Sequence, residues 1–182
     1  AGSAAGHARV AAMRALVRRR FGSARGLVRL ALAQLELGSG ALASFQLRRP
    51  QDVRRVVFVC LGNICRSPLA EGIMKDKISK NHLLWIVESV GTGNYNIGDA
   101  CHPLSQKVAR MHGIDLSRHR ARQFRKEDMI DFDRIYVMDS DNYNNVKRMS
   151  HELWDPSKTD LLMNEAIPGE NKSIPDPWYS EE

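Results

Sequence analysis

Cys60 and Arg66 stand six residues apart, joined by Leu61-Gly62-Asn63-Ile64-Cys65 and followed by Ser67-Pro68. Those residue types are suited to holding a tetrahedral oxyanion against a sulfur nucleophile. The run follows an apolar stretch, Val56 to Val59, and leads into helical signals from Leu69 to about Lys80. Backbone N–H groups of Leu61 to Arg66 can turn inward as a nest, and a helix start adds positive potential. Arg66 offers a planar fork that matches two phosphate oxygens. Cys60 lies at the focus of that field, where a thiolate is stabilised. The chemistry this predicts is cleavage of a phosphate ester through a cysteinyl-phosphate intermediate.

The neighbours sharpen the reading. Gly62 is expected to supply the left-handed geometry of a tight loop, and Asn63 to hydrogen-bond the loop to itself. Ser67-Pro68 reads as an N-cap and a proline at the first helical position, or else Ser67 gives its hydroxyl to the thiolate. A structural cysteine packed in a core is the plain alternative, and it gains nothing from such surroundings. Cys65, inside the loop, is expected either to trap an oxidised Cys60 as a disulfide or simply to pack as a small residue.

Elements must hold these groups in place. Arg54 to Cys60 reads as a buried strand, Leu84 to Val90 as a second, Arg134 to Met138 as a third, and Leu161-Leu162-Met163 as a short fourth. Helices are predicted at Pro68 to Lys80, at Leu104 to His112 closed by Gly113, and from Asp141 to about Leu153. His112 is read as a helix C-terminal residue and not as a base. The alternation predicts an α/β fold: a four-stranded parallel open sheet with helices on both faces. The phosphate-binding loop then follows strand 1, at the carboxyl ends of the strands where such sheets bind ligands.

The 182 residues divide into two parts of different kind. The net charge of +6 conceals +8 in residues 1–50, with nine arginines and Glu36 alone as acid, against −2 in residues 51–182. The second part is therefore not a basic nucleic-acid binder. The first is rich in Ala, Leu and Arg, with Val10, Met13, Val17 and Phe21 at helical spacing, and is expected to be an N-terminal helical appendage. A targeting presequence, a lipid-binding basic helix making membrane contact and a fused segment are its rivals. Three cysteines without a long apolar run point to a reduced, cytoplasmic setting. Cys101-His102 is too small a cluster for a structural zinc, and no metal or cofactor is implied.

From about Arg54 to Tyr179 the chain resembles the low-molecular-weight protein tyrosine phosphatases, relatives in fold of arsenate reductases. The resemblance rests on Cys60 to Pro68, on Glu88 to Gly98, and on His112-Gly113-Ile114. It continues through Arg120 to Phe124, Phe132 to Asp139 and Asp176-Pro177-Trp178-Tyr179, all in family order. It implies a phosphatase of phosphotyrosine proteins and small aryl phosphates, with Cys60 as nucleophile and Arg66 as phosphate ligand. Asp176 is then the general acid, where the residues alone leave a turn-forming Asp-Pro as the rival. Asp139, Asn63 and Ser67 become loop supports, and Tyr95, Trp178 and Tyr179 a wall around a phenyl ring, with ordinary packing the alternative. The resemblance also implies a C-terminal helix for which only Ser180, Glu181 and Glu182 remain, so residues 51–182 are expected to lack it. That loss favours one rival, a non-catalytic phosphate-binding module. The other rival, an arsenate reductase, would need a resolving cysteine late in the chain, and none follows Cys101.

Overall fold

The structure is a computed structural model that describes residues 53–177. The expectations for residues 1–50, Trp178 and Tyr179 lie outside the described residues. The compact unit that holds the sheet runs to Ile174, and Pro175 onward falls outside it.

Four parallel strands make the sheet: β1 Arg55–Cys60, β2 Ile86–Gly91, β3 Arg134–Val137 and β4 Thr159–Leu161, in the order β2-β1-β3-β4. Helices α1 Arg66–Lys80, α2 Pro103–Met111, the single turn α3 Asp128–Asp131 and α4 Ser140–Ser150 connect them. β1 is central because both of its faces are apolar. Val56, Phe58 and Cys60 pack with Val87 and Met138 beneath Ala70, Met74 and Ile78 of α1. Val57 and Val59 alternate to the other face, and both are fully buried.

The predicted architecture matches, with local differences. The fourth strand is Thr159–Leu161, not Leu161 to Met163, because the apolar run closes into a 3-10 turn, Leu162–Glu165. Buried Asp160 is what a hydrophobicity pattern misses there; its carboxylate accepts from the Leu161 amide at 2.7 Å and from Asn164 at 2.6 Å. α1 begins at Arg66 with Cys65 as its N-cap, two residues earlier than the Ser67-Pro68 reading, so Ser67 is inside the helix and its side chain serves the loop. α3 escapes sequence reading because a single turn carries no periodicity. α2 ends at C-cap His112 before Gly113 at φ 75°, as predicted.

Register brings the chemistry together. Cys60, the last residue of β1, pairs with Gly91 at the end of β2, while Asp139 caps α4 just past β3. Gly91 is obligatory: a Cβ there would lie 2.8 Å from the Leu61 oxygen and 3.0 Å from the Asn63 nitrogen, both backbone atoms.

Candidate active site

The loop from Cys60 to Cys65 has every carbonyl engaged from outside. The oxygens of Cys60, Leu61 and Ile64 accept from the amides of Thr92, Gly93 and His102 at 2.9, 2.7 and 2.9 Å. The Gly62 oxygen accepts from the Asn96 side chain at 3.3 Å, Asn63 from His119 Nε2 at 2.8 Å, and Cys65 from the Leu69 amide at 3.3 Å. In a trans peptide the N–H points opposite to the preceding carbonyl. Six outward carbonyls therefore aim the amides of Leu61 to Arg66 inward, which is the nest an oxyanion needs. The Asn63 amide already donates to Cys60 Sγ at 3.3 Å.

Asn63 is the keystone, and it corrects one expectation. The left-handed residue of the loop is Asn63, at φ 55°, whereas Gly62 has no positive φ. Glycine is needed at 62 for another reason: a Cβ would come within 2.6 Å of the Asn96 amide nitrogen that binds the Gly62 carbonyl. Asn63 is wholly buried and fully bonded. Its Nδ2 donates to Ser67 Oγ at 3.0 Å and Ser89 Oγ at 2.9 Å, and its Oδ1 accepts from the Arg122 amide at 2.9 Å. Ser89 donates its own hydroxyl proton to Glu71 at 2.5 Å. Ser67 Oγ lies 3.0 Å from Cys60 Sγ and 3.2 Å from the Val90 carbonyl. One hydroxyl proton thus has two destinations: the carbonyl while sulfur is a thiol, the sulfur once it is a thiolate. Ser67 and Asn63 are thus bonded to each other beside the sulfur, the Ser67 hydroxyl lying against it.

Arg66 is 7% exposed, an uncommon depth for a guanidinium. Its Nη1 donates to Asp139 Oδ2 at 2.6 Å and to the Ile174 carbonyl at 3.0 Å. Asp139 is held in turn as the N-cap of α4, its Oδ1 accepting from the Asn142 amide at 2.7 Å. The fork is therefore fixed before any ligand arrives.

A model of the low molecular weight phosphotyrosine protein phosphatase family matches residues 55–182. The chain belongs to that family. It is 37% identical over 131 residues to the human low molecular weight phosphotyrosine protein phosphatase, covering 71% of this chain and 82% of that one. Identity to the Schizosaccharomyces pombe phosphatase of the same name is 37% over 128 residues, covering 69% and 81%. Among solved structures, YfkJ from Bacillus subtilis superposes with a TM-score of 0.67 at 34% identity over 74% of this chain and 85% of that one. A Drosophila arginine phosphatase superposes at 0.64 and 33% identity, over 70% and 82%.

Tyr95 is 64% exposed, with its ring against Gly93 and Gly62, at the loop's rim. Asp176 lies in sequence just past the end of the sheet-bearing unit at Ile174. Cys60, Cys65 and Cys101 are all reduced and buried. Glu71, Ser89, His119 and Arg122 are loop supports that carried no assigned role in the sequence. His119 and Ser89 reach Asn63 from 56 and 26 residues away, a separation at which no local pattern operates. Only their places inside family-like segments hinted at them.

Asn63→Ala should lower unfolding free energy by about 2–4 kcal/mol, since it strands three buried partners and puts a Cβ-bearing residue without a polar group at positive φ. Asn63→Gly relieves the backbone term and should fall between the two in urea denaturation. An alanine variant as stable and as active as the parent would remove Asn63 from this role.

Proposed function

We propose that this phosphatase hydrolyses the phosphate monoesters of phosphotyrosine proteins, and of small aryl phosphates, through a cysteinyl-phosphate intermediate. The inward nest around Cys60 Sγ, closed by the fixed Arg66 fork, is the observation that carries this reading. Cys60 attacks phosphorus, the Leu61–Arg66 amides and the guanidinium hold the equatorial oxygens, and Ser67 supports the sulfur as nucleophile and leaving group. Asp176 protonates the departing tyrosine oxygen and then activates water against the thiophosphate. Tyr95, Trp178 and Tyr179 are the aromatic residues that the family resemblance assigns to the aryl ring. The relatives' names supply the tyrosine preference, and the arginine phosphatase among the structural neighbours supplies the control.

The test is release of phosphate from para-nitrophenyl phosphate and from matched phosphotyrosine and phosphoarginine peptides, with vanadate as competitor. Vanadate-sensitive turnover favouring phosphotyrosine is expected; preference for phosphoarginine would overturn the substrate assignment. Asp176→Asn should lower kcat on phosphotyrosine about 10²-fold or more and much less on para-nitrophenyl phosphate, whose leaving group needs little protonation. Equal losses on both would show that Asp176 acts in folding or positioning.

Cys65 is assigned a protective role. Mild peroxide should oxidise Cys60, and Cys65 should then close a disulfide that thiols reverse. Cys101 should stay out of this exchange: burial above all, with nearby Glu71, pushes its thiol up to about 12, so almost no thiolate exists near neutral pH. Peptide mapping of the oxidised chain should show a Cys60–Cys65 link and unmodified Cys101. Absence of that link would return Cys65 to packing.

A further inference from the structure

α2 turns the wrong side outward. Its buried residues are the small Ser105 and Ala109, while Leu104, Val108 and Met111 are 56%, 47% and 74% exposed. At 100° per residue these three fall within about 60° of one another, on one stripe of the helix. Lys107 lies beside Leu104 and Met111 on the same face, and Arg110 on its flank, both exposed. No acidic residue occurs in α2. The loop that follows adds exposed Arg118 and Arg120, and its carboxylate, Asp115, is occupied by the amide and hydroxyl of Ser117 at 2.8 and 3.0 Å. This basic, apolar face stands on a part of the chain, residues 51–182, that is otherwise net negative.

Its position gives it a use. The amide of His102, the N-cap of α2, donates to the Ile64 carbonyl of the phosphate-binding loop at 2.9 Å. α2 therefore starts at the loop and runs for about 13 Å, the reach of about four extended residues.

Resting on the phosphatase reading above, we propose that the outward face of α2 is a docking surface for the substrate protein. It seats a segment, two to six residues from the phosphotyrosine, that combines apolar side chains with Asp or Glu. The apolar residues cover Leu104, Val108 and Met111, and the carboxylates meet Lys107 and Arg110. A second copy of this chain fits less well, since an isologous contact through α2 would set Lys107 and Arg110 near their own images. A membrane fits less well too, since three apolar side chains on a nine-residue helix form a small anchor.

The experiment compares kcat/KM on three phosphotyrosine peptides with flanks of equal length: Glu/Leu-rich, Gly/Ser and Lys-rich. Para-nitrophenyl phosphate reads the chemistry alone. The parent chain should prefer the Glu/Leu peptide over the Gly/Ser peptide at least about fivefold, mostly through KM and more weakly at high salt. Leu104→Ser with Met111→Ser, and separately Lys107→Glu, should erase that preference and leave para-nitrophenyl phosphate turnover unchanged. No hydrolysis of para-nitrophenyl phosphate by the parent would defeat the phosphatase reading itself. Normal hydrolysis with no flank effect would overturn docking alone. Binding to phosphatidylserine vesicles, or dimerisation in sedimentation, that is lost in the same variants without any flank effect would likewise overturn it.

Discussion

Cys60→Ser should retain phosphotyrosine-peptide binding and lose turnover by about 10⁴-fold or more. The exchange replaces one atom, and the Asn63 amide and Ser67 hydroxyl that now meet sulfur at 3.3 and 3.0 Å can bond an oxygen equally well. The loop carbonyls are engaged by Thr92, Gly93, His102 and His119, none of which the substitution touches. The cradle therefore survives. What disappears is the sulfur nucleophile, since an alcohol is a far weaker nucleophile near neutral pH and makes a poor leaving group from phosphorus. Isothermal titration with a phosphotyrosine peptide, beside phosphate release, separates binding from chemistry. Residual turnover above about 1% would place the nucleophile elsewhere.

Arg66→Lys should cost about 10²–10³-fold in kcat/KM although charge is conserved. Nη1 is committed to Asp139 and to the Ile174 carbonyl, and the planar guanidinium then fixes the direction of its other donors. An ammonium has no such plane: if it satisfies Asp139 it leaves the oxyanion, and if it reaches the oxyanion it leaves Asp139 unpaired. Asp139→Asn keeps a hydrogen-bond acceptor and should lose less, mainly in kcat, because Asp139 only positions the guanidinium. Near-parental kcat/KM in Arg66→Lys would mean that the nest amides alone hold the phosphate.

The first strand and the cysteine loop were legible in the sequence because their chemistry is local, and the start of α1 was legible to within two residues. Cys60, Arg66 and the helix start lie within seven consecutive residues, and apolar Val56 to Val59 needs no partner to be read as buried. The internal economy of the loop was not legible. Gly62 drew the left-handed assignment on conformational grounds, yet Asn63 takes it, since Ser67, Ser89 and the Arg122 amide bond its side chain and hold it at φ 55°. Of the two roles read for Ser67, the cap gives way to the other, because the sulfur, Asn63 and Val90 claim its hydroxyl. β4 was displaced because hydrophobicity marks Leu162 and Met163, while strand pairing to Ile135–Val137 follows backbone register through buried Thr159 and Asp160. Each miss is a place where a distant partner outweighed a local preference.

Two hydrogen bonds of Arg66 span 73 and 108 residues of chain. The cysteine loop can close once the chain through Arg122 has packed against it, but its guanidinium stays unfixed until β3 has paired and the segment reaching Ile174 has come home. Loop-closure entropy puts such long-range contacts late in folding. On the ribosome, a chain lacking its last stretch would carry the nucleophile without the aligned cation. A chain that stops short of Ile174 can hold the cysteine loop, but not the guanidinium in the alignment that Asp139 and the Ile174 carbonyl give it.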